Sequence, residues 1–319
     1  MAAGVDCLEH REERRLGSSG ESKKNTRRST QLLAREEYVE QAHLFRGLVE
    51  RLPENIPLQE LLGQLRHELL STTRLPMAID FMLAELKHSG SIGLAMARLP
   101  HYFTPFQTYV VNEAEAERGR FDMRVAVRIL QQLADYLGRS EGLSSQPQAV
   151  FMYQFECLCR SRLRYDPGLG AMADDPIFND DWREWILTVR RQVGLVDFAD
   201  MIFVRSQHYY DRQMRPGETP TAPEKPILFG EKEGKIAWAN RQKDPLYLFA
   251  ALQRHLGYPP VPRPPKIDEN VNALPMLQLK IERLEARIKL LEDEGKSGID
   301  ITRFYGKDIP GVRPPDDLA

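Results

Sequence analysis

Apolar residues spaced three and four positions apart recur through most of the chain, and this spacing constrains the fold more than any other feature of the sequence. The first such set is Tyr38, Ala42, Phe45, Val49 and Leu52. Because an α-helix has about 3.6 residues per turn, residues at this spacing share one helix face that packs on a core. Similar sets follow one another to Leu256. The sequence therefore predicts a mainly α-helical bundle or array.

Residues that start and stop helices divide this pattern into separate elements. Asp244 followed by Pro245 is a typical helix start, and Gly257 is a typical helix end. Asp180 or Asp181 is predicted to cap the helix that follows it. Short links between such helices favour a compact body in which consecutive helices pack on each other.

One part of the body has strand character instead. Residues 227–229 and 236–238 are short apolar runs on either side of a glycine-bounded turn. Residues 201–204 form a similar, partly β-branched run. We therefore expect a small β-hairpin insertion within about residues 200–240. The glycines and aspartates of residues 165–176 indicate a loop.

Composition divides the chain into five segments. Residues 1–30 contain many charged and small polar residues and few apolar ones, which is typical of disorder. Residues 259–266 include five prolines, and such a run behaves as a semi-rigid spacer. The predicted segments are a disordered tail at 1–30, a helical body at 31–258, a proline-rich linker at 259–272, a coiled-coil helix at 273–294 and a C-terminal tail at 295–319.

The predicted coiled-coil helix carries the a and d positions of a heptad repeat. These positions are occupied by Leu274, Leu277, Ile281, Leu284, Ile288 and Leu291. Isoleucine at a with leucine at d favours two parallel helices. The flanking g and e positions are occupied by Lys280, Glu285, Arg287 and Glu292. In a parallel pair each basic g residue faces an acidic e residue of the partner, so the sequence predicts a homodimer.

A second interpretation of this helix is that it packs on the body of its own subunit. Three heptads are too few to separate a period of 3.5 residues from one of 3.6. A lone helix of this length is also marginal in water without tertiary support. Leu290, at position c, adds an apolar residue outside the seam. The sequence leaves both arrangements open.

Charge and cysteine content limit the class of protein. The 319 residues carry a net charge of −2, which gives no overall attraction to nucleic acid or to an anionic membrane. No apolar run is long enough to cross a membrane, and the N-terminus lacks the apolar core of a signal peptide. The three cysteines, Cys7, Cys157 and Cys159, are an odd number and indicate a reduced, cytoplasmic protein.

Two kinds of acidic pattern raise the question of a metal site. The Glu-x-x-His spacing used by di-metal bundles occurs twice, in Glu40 with His43 and in Glu85 with His88. The helical wheel turns the first pair away from the apolar face, which predicts that both side chains point to solvent. An acidic cluster is formed by Asp174, Asp175, Asp180 and Asp181. Helix capping explains these aspartates better than Mg²⁺ or Ca²⁺ does, so we assign no metal or cofactor.

Two arginine-rich segments are candidates for contact with phosphates. The candidate anion contact is formed by Arg160, Arg162 and Arg164. The second segment contains Arg205, His208, Arg212 and Arg215, interleaved with Tyr209 and Tyr210. Neighbouring aspartates offset both segments, which weakens the case for nucleic acid.

The expected function is that of a homodimeric interaction or scaffold protein that presents its helical body through a C-terminal parallel coiled coil. Its partners would be a second copy and, through the apolar residues of the C-terminal tail, another protein. No nucleotide-binding, hydrolase or zinc-protease motif is present in the sequence, so we do not expect an enzyme. The alternatives are a binder of nucleic acid or another anionic ligand, and a metal-dependent enzyme.

Overall fold

The structure of this protein is a computed structural model. It describes residues 32–54, 56–116, 121–139, 147–214 and 225–263, together with Pro223, Ile281, Leu284 and Ile288. The predicted tails at 1–30 and 295–319 lie outside the described residues. Up to residue 263, the described part of the chain forms 13 α-helices and two isolated β-bridges, without a strand. The prediction of a mainly α-helical protein is confirmed.

The helices fall into an N-terminal and a C-terminal half of the body. The N-terminal half contains α1 (Arg35–Arg51), α2 (Leu58–Glu68), α3 (Leu75–Ser89), α4 (Ile92–Ala97), α5 (Pro105–Glu115) and α6 (Met123–Arg139). The C-terminal half contains α7 (Pro147–Arg160), α8 (Tyr165–Ala173), α9 (Asp180–Gln192), α10 (Phe198–Val204), α11 (Gln207–Gln213), α12 (Glu231–Ala239) and α13 (Pro245–Leu256). A 3-10 turn, Leu52–Glu54, follows α1.

Capping residues explain several of the helix boundaries. The hydroxyl of Thr104 accepts a hydrogen bond from the backbone N–H of Gln107, whose side chain accepts one from the Thr104 N–H. This reciprocal pair fixes the start of α5. Asp244 caps α13 as predicted, by accepting a hydrogen bond from the N–H of Leu246 at 2.8 Å. Gly257 ends that helix with φ 70°, a left-handed conformation that glycine adopts without strain.

The predicted β-hairpin is wrong. Residues 201–204 belong to α10, and residues 236–238 belong to α12. Residues 227–229 are not helical, and Phe229 forms an isolated β-bridge with Ser206. The region predicted to be a hairpin is therefore a group of short helices.

Local capping and packing override the strand propensity of these short runs. The side chain of Asp197 accepts a hydrogen bond from the N–H of Ala199, which starts α10 ahead of the β-branched run. α12 buries Gly234 and Ala237, three residues apart, as one helical face requires. An apolar run of three or four residues does not by itself distinguish a strand from a short helix.

The predicted loop at 165–176 is also wrong, because most of it forms α8. Gly168 is buried in this helix. A Cβ atom at Gly168 would lie 2.7 Å from Cδ2 of Leu158 and 3.1 Å from Cε1 of Tyr109. The glycine therefore permits a close approach of α8 to α7 and α5, rather than marking a turn.

The start of α9 differs from the prediction by one residue. Asn179 is the cap, and its side chain accepts a hydrogen bond from the N–H of Trp182 at 2.9 Å. Asp180 and Asp181, the predicted caps, lie in the first turn of the helix. Their negative charges favour the N-terminal end of the helix dipole from that position.

A continuous apolar core runs through both halves of the body. In the N-terminal half, α1 packs along α6 more extensively than any other described pair of helices pack on each other. In the C-terminal half, Phe151 on α7 lies among aromatic rings. Its ring centroid is 4.8 Å from that of Trp185 and 5.7 Å from that of Trp182. These rings fix the position of α9 against α7.

The chain divides into two compact units, Met1–Pro264 and Pro265–Ala319. The division falls within the predicted proline-rich linker. In the second unit the described residues are Ile281, Leu284 and Ile288, and all three are helical. Among the described residues, no helix combines the length and the apolar character needed to cross a membrane.

Candidate protein-interaction surface

Four elements of the C-terminal half meet at an exposed tryptophan, Trp238. They are α10, α11, α12 and the turn between α12 and α13. Close packing at Gly234 sets the position of α12, because a Cβ there would lie 2.3 Å from Oγ of Ser206 and 2.7 Å from Cβ of His208. Glycine thus allows α12 to lie directly on the start of α11, which brings Trp238 beside side chains of both neighbouring helices.

The indole of Trp238 rests on an aromatic base and is flanked by two guanidinium groups. Its ring centroid is 4.6 Å from that of Phe203, which is buried on α10. The guanidinium carbon of Arg212 lies 4.4 Å from the centroid of the Trp238 ring, and that of Arg241 lies 4.3 Å from it. Trp238 nevertheless keeps 39% of its surface exposed. Each such cation–π contact is worth about 0.5–1 kcal/mol at an exposed site.

The two arginines differ in their acidic partners. Arg241 forms an ion pair with Asp200 of α10. Arg212, on α11, is exposed and forms no ion pair within the described part of the chain. Among the described residues, one of the two positive charges on this tryptophan therefore has a carboxylate partner and the other has none.

Large apolar side chains are exposed around the same elements. Asp197, at the start of α10, accepts a hydrogen bond from the N–H of Gln242 at 2.6 Å, which ties the α9–α10 turn to the α12–α13 turn. Exposed apolar residues flank this hydrogen bond along the chain on both sides. We call the whole area the Trp238 surface, which consists of Leu195, Val196, Val204, Arg212, Trp238, Arg241, Leu246 and Tyr247.

The sequence indicated part of this surface. Arg212 belongs to the second arginine-rich segment, of which Arg215 lies outside the described residues. Within that segment the rings of His208 and Tyr209 contact Phe203, at centroid distances of 6.0 and 5.2 Å. Trp238 was missed because its run was assigned to a strand. On a helical wheel Trp238 lies about 100° from Ala237, at the edge of the apolar face, and this is the signal that could have found it.

The predicted dimer seam is described at three positions. Ile281, Leu284 and Ile288 are helical and expose 50%, 60% and 55% of their surface. Their spacing of three and four residues places them on one side of the helix. The other predicted interface residues lie outside the described residues and are Leu274, Leu277, Lys280, Glu285, Arg287, Leu291 and Glu292.

The candidate anion contact is largely occupied by carboxylates of the protein itself. Arg160 pairs with Glu156 four residues earlier on α7. Arg164 pairs with Glu113 of α5. Arg162 is exposed, with φ 53°. The structure therefore does not bring the three arginines together around one free position for an anion.

The Glu-x-x-His pairs serve other purposes. Glu40 is buried and accepts a hydrogen bond from the N–H of Leu70 at 3.0 Å, so the prediction that it points to solvent is wrong. The chain passes over α1 after α2 and needs an acceptor there, which the helical wheel of α1 alone does not reveal. His43 is exposed, and Glu85 pairs with Arg98. Within the described residues, no group of three or more possible metal ligands occurs.

The acidic cluster separates into residues with different surroundings. Asp174 pairs with Arg183 at the surface. Asp175 is buried, and its carboxylate accepts hydrogen bonds from Nε2 of Gln154 at 3.2 Å and from the N–H of Ile177 at 3.3 Å. Burial raises the pKa of Asp175 to about 6, although these hydrogen bonds act in the opposite direction. Asp175 is therefore a buried titratable group, which its position in the sequence did not indicate.

A small cavity lies in the N-terminal half. It encloses about 30 Å³ and is lined by apolar side chains, among them Leu48, Met82, Phe103 and Leu130. That volume is far below the roughly 150 Å³ of an apolar cavity that binds benzene. The cavity is therefore a packing void rather than a site for a ligand.

The chain was compared with known proteins by sequence and by structure. No protein-family profile, curated protein or solved structure matches it.

Proposed function

We propose that this chain is a homodimeric interaction or scaffold protein, which presents two copies of its helical body through a C-terminal parallel coiled coil. The observation that carries the proposal is the exposure of the described seam residues, Ile281, Leu284 and Ile288. Each is helical and keeps half or more of its surface accessible. Covering an apolar stripe of this kind with a second helix is favourable, because it removes apolar surface from water.

The size of that gain supports pairing. Full burial of one leucine or isoleucine side chain is worth about 1.5–3 kcal/mol. The predicted seam has six such positions on each helix. Isoleucine at Ile281 and Ile288 and leucine at Leu284 is the combination that favours parallel dimers. Covering the seams of two chains together therefore offsets the instability of a lone three-heptad helix.

The proposed location of the protein is the cytoplasm. Cys157 and Cys159 are free thiols on α7. Burial raises the pKa of Cys157 well above the ordinary value of a thiol, which keeps it protonated and unreactive. Structural cysteines of this kind suit a reducing compartment. A further protein partner is proposed for the C-terminal tail, whose apolar residues are Ile299, Ile301, Phe304 and Tyr305.

The described residues give less support to the two alternative functions. Anion binding would use the two arginine-rich segments. In the first, Arg160 and Arg164 already pair with carboxylates of the chain, and in the second, Arg212 lies against Trp238. A metal-dependent enzyme would need a group of ligands at the Glu-x-x-His pairs or the acidic cluster, and these residues have separate partners. Neither alternative is supported by a specific contact.

Molar mass in solution tests the proposal. We expect light scattering of the full chain to give twice the chain mass of 36.7 kDa. Leu284→Asp would place two carboxylates in the seam, so this variant should be a monomer. Leu290→Asp introduces the same charge at position c of the same helix and should remain a dimer. A monomeric full chain, or a Leu284→Asp variant that remains dimeric, would overturn the proposal.

A further inference from the structure

We propose that the Trp238 surface binds an acidic segment of a partner protein that carries a large apolar residue beside its carboxylates. This inference rests on the proposed function, because it names the kind of partner that the helical body would hold. It concerns a different part of the chain from the dimer seam. Its evidence is the composition, charge and rigidity of the surface.

The composition of the surface is that of a protein-binding hot spot. Tryptophan, tyrosine and arginine are the residues most enriched where interfaces gain most of their binding energy. The Trp238 surface presents one tryptophan, two arginines and Tyr247 together. Of the 12 large apolar residues that are exposed between residues 32 and 263, six belong to this surface. All six lie on or next to the elements that meet at Trp238, whereas exposed apolar residues are ordinarily scattered singly over a monomer.

The charges of the surface select an acidic occupant. Two described carboxylates beside it are already engaged within the protein. Asp197 accepts hydrogen bonds from the N–H groups of Ala199 and Gln242, and Asp200 pairs with Arg241. Arg212 remains without an acidic partner among the described residues. A carboxylate of the occupant can accept two parallel hydrogen bonds from its guanidinium group.

The apolar part of the surface selects a large apolar group next to that carboxylate. Leu195 follows Gly194, whose φ is 84°, in a tight turn, and it exposes 85% of its surface. Val204 and Leu246 are exposed on α10 and α13. An aromatic or aliphatic side chain of the occupant placed beside Trp238 would be removed from water together with the indole, and that burial is favourable.

The same features argue against a nucleic acid as the occupant. Stacking of a base requires an open aromatic face. Two guanidinium groups already lie within 4.4 Å of the centre of the Trp238 ring. The flanking aliphatic side chains make no hydrogen bonds to a sugar-phosphate chain, and one arginine without a carboxylate partner among the described residues is too few for the several phosphate contacts that such binding uses.

The surface is held in place before any partner arrives. Phe203 supports the indole from below, and the Gly234–Ser206 contact fixes the helix that carries it. The hydrogen bond from Gln242 to Asp197 fixes the turn that carries Arg241. A preorganised surface loses little conformational entropy on binding.

Selection of random short peptides on phage tests the proposal, with the full chain as bait. We expect selected peptides to be enriched in aspartate or glutamate next to phenylalanine, tryptophan or leucine. Arg212→Gln removes an exposed charge without touching the core. It should lower the affinity for these peptides about tenfold or more, which is the effect of losing one charge-assisted hydrogen bond. Arg128→Gln, an exposed arginine on α6, is the matched control and should bind as the parent does.

Tryptophan fluorescence of the same complexes shows where the peptide lies. Trp182 and Trp185 are buried, so a change in emission on titration with a selected peptide reports Trp238. Peptides without acidic enrichment, affinity that Arg212→Gln leaves unchanged, or no enrichment at all would overturn the proposal. Salt-sensitive binding of a fluorescent oligothymidine that Arg212→Gln abolishes would replace the protein partner with a nucleic acid.

The Leu284→Asp variant separates this inference from the proposed function. If that variant is a monomer and still selects acidic peptides, both proposals stand. If the full chain is a monomer but selects acidic peptides, the dimer is wrong and the partner assignment holds. If the full chain is a dimer but selects no acidic peptides, the dimer is correct and the partner assignment is wrong.

Discussion

Oδ2 of Asp175 accepts a hydrogen bond from Nε2 of Gln154 at 3.2 Å, while Oε1 of the same glutamine is buried without a hydrogen-bond partner. Burial raises the pKa of Asp175 from 3.8 to about 6. In the protonated form, and with the amide of Gln154 turned over, the carboxyl group can donate a hydrogen bond to Oε1. The turned amide would leave Nε2 where Oε1 now lacks a partner, so burial rather than hydrogen bonding favours the neutral form of Asp175.

This relationship predicts how stability depends on pH. The folded-state pKa of Asp175 lies above its unfolded value, so the native protein retains a proton that the unfolded chain releases. The contribution of Asp175 to stability is complete below about pH 4 and is lost as the pH rises through about 6. The shift of this pKa corresponds to a decrease in the free energy of unfolding on the order of 3 kcal/mol.

Asp175→Asn should remove this dependence. The asparagine is neutral at every pH, and its amide can donate to Oε1 of Gln154 as the protonated acid does. We expect the variant to be more stable than the parent by about 1–3 kcal/mol at about pH 8, with little difference near pH 4. Urea denaturation at several pH values measures both quantities. Parallel stability curves for the two proteins would contradict the assignment.

Asp174→Asn is the matched control for that experiment. Asp174 is adjacent in sequence, but it lies at the surface in an ion pair with Arg183. Exposed pairs of this kind contribute about 0–1 kcal/mol. The control should therefore follow the pH dependence of the parent.

A hydrogen bond of Tyr258 holds the segment after α13 against the core. Its hydroxyl lies 2.8 Å from Oε2 of Glu156, which is buried on α7. Tyr258→Phe would leave that carboxylate with one partner fewer, and we expect the free energy of unfolding to fall by about 1–3 kcal/mol. Tyr247→Phe, at an exposed tyrosine, should change it by less than about 0.5 kcal/mol. Equal effects of the two substitutions, measured by thermal or urea denaturation, would refute the role of the hydroxyl.

Two helical glycines should respond to alanine in opposite directions. At Gly234 a Cβ would lie 2.6 Å from Cβ of Ser206, so Gly234→Ala should lower stability by about 1–3 kcal/mol. At Gly63, on α2, a Cβ would have no neighbour within 4 Å. Gly63→Ala should raise stability by about 0.5–1 kcal/mol, since alanine is the better helix former. A Gly234→Ala variant as stable as the parent, or more stable, would show that α12 does not depend on close approach at Gly234.

Quenching of tryptophan emission by acrylamide tests the exposure of Trp238. Trp182 and Trp185 are buried and should resist the quencher. Trp238→Phe keeps a ring against Phe203, so the fold is preserved while the accessible emission disappears. We expect the quenching constant to fall several-fold. A constant that stays at the parental value would place Trp238 inside the protein.

The helical period predicted the elements that bury a full stripe of apolar residues. α13 was predicted from its cap at Asp244 through to its left-handed end at Gly257, because both boundaries depend on local chemistry. The helical period did not predict the short helices. α10 and α12 contain too few residues to show a period, and their conformation depends on contacts with residues distant in sequence.

The candidate surface could be predicted only in part for the same reason. The arginines and tyrosines around Arg212 were visible as a cluster in the sequence. Their relationship to Trp238 and Arg241, more than 20 residues further along, depends on how α11 and α12 cross. The burial of Glu40 and Asp175 likewise follows from segments that pass over them in the folded chain.

The pairing of α1 with α6 has a consequence for how the chain is made. Nε of Arg35 donates a hydrogen bond to the carbonyl of Gly138, 103 residues later. At about 5–20 residues per second, a ribosome needs roughly 5–20 s to extend the chain over that distance. Throughout this interval the apolar face of α1, with Leu44 and Phe45, has no α6 to cover it. A nascent chain that stalls within this span would expose that face to chaperones and to other nascent chains.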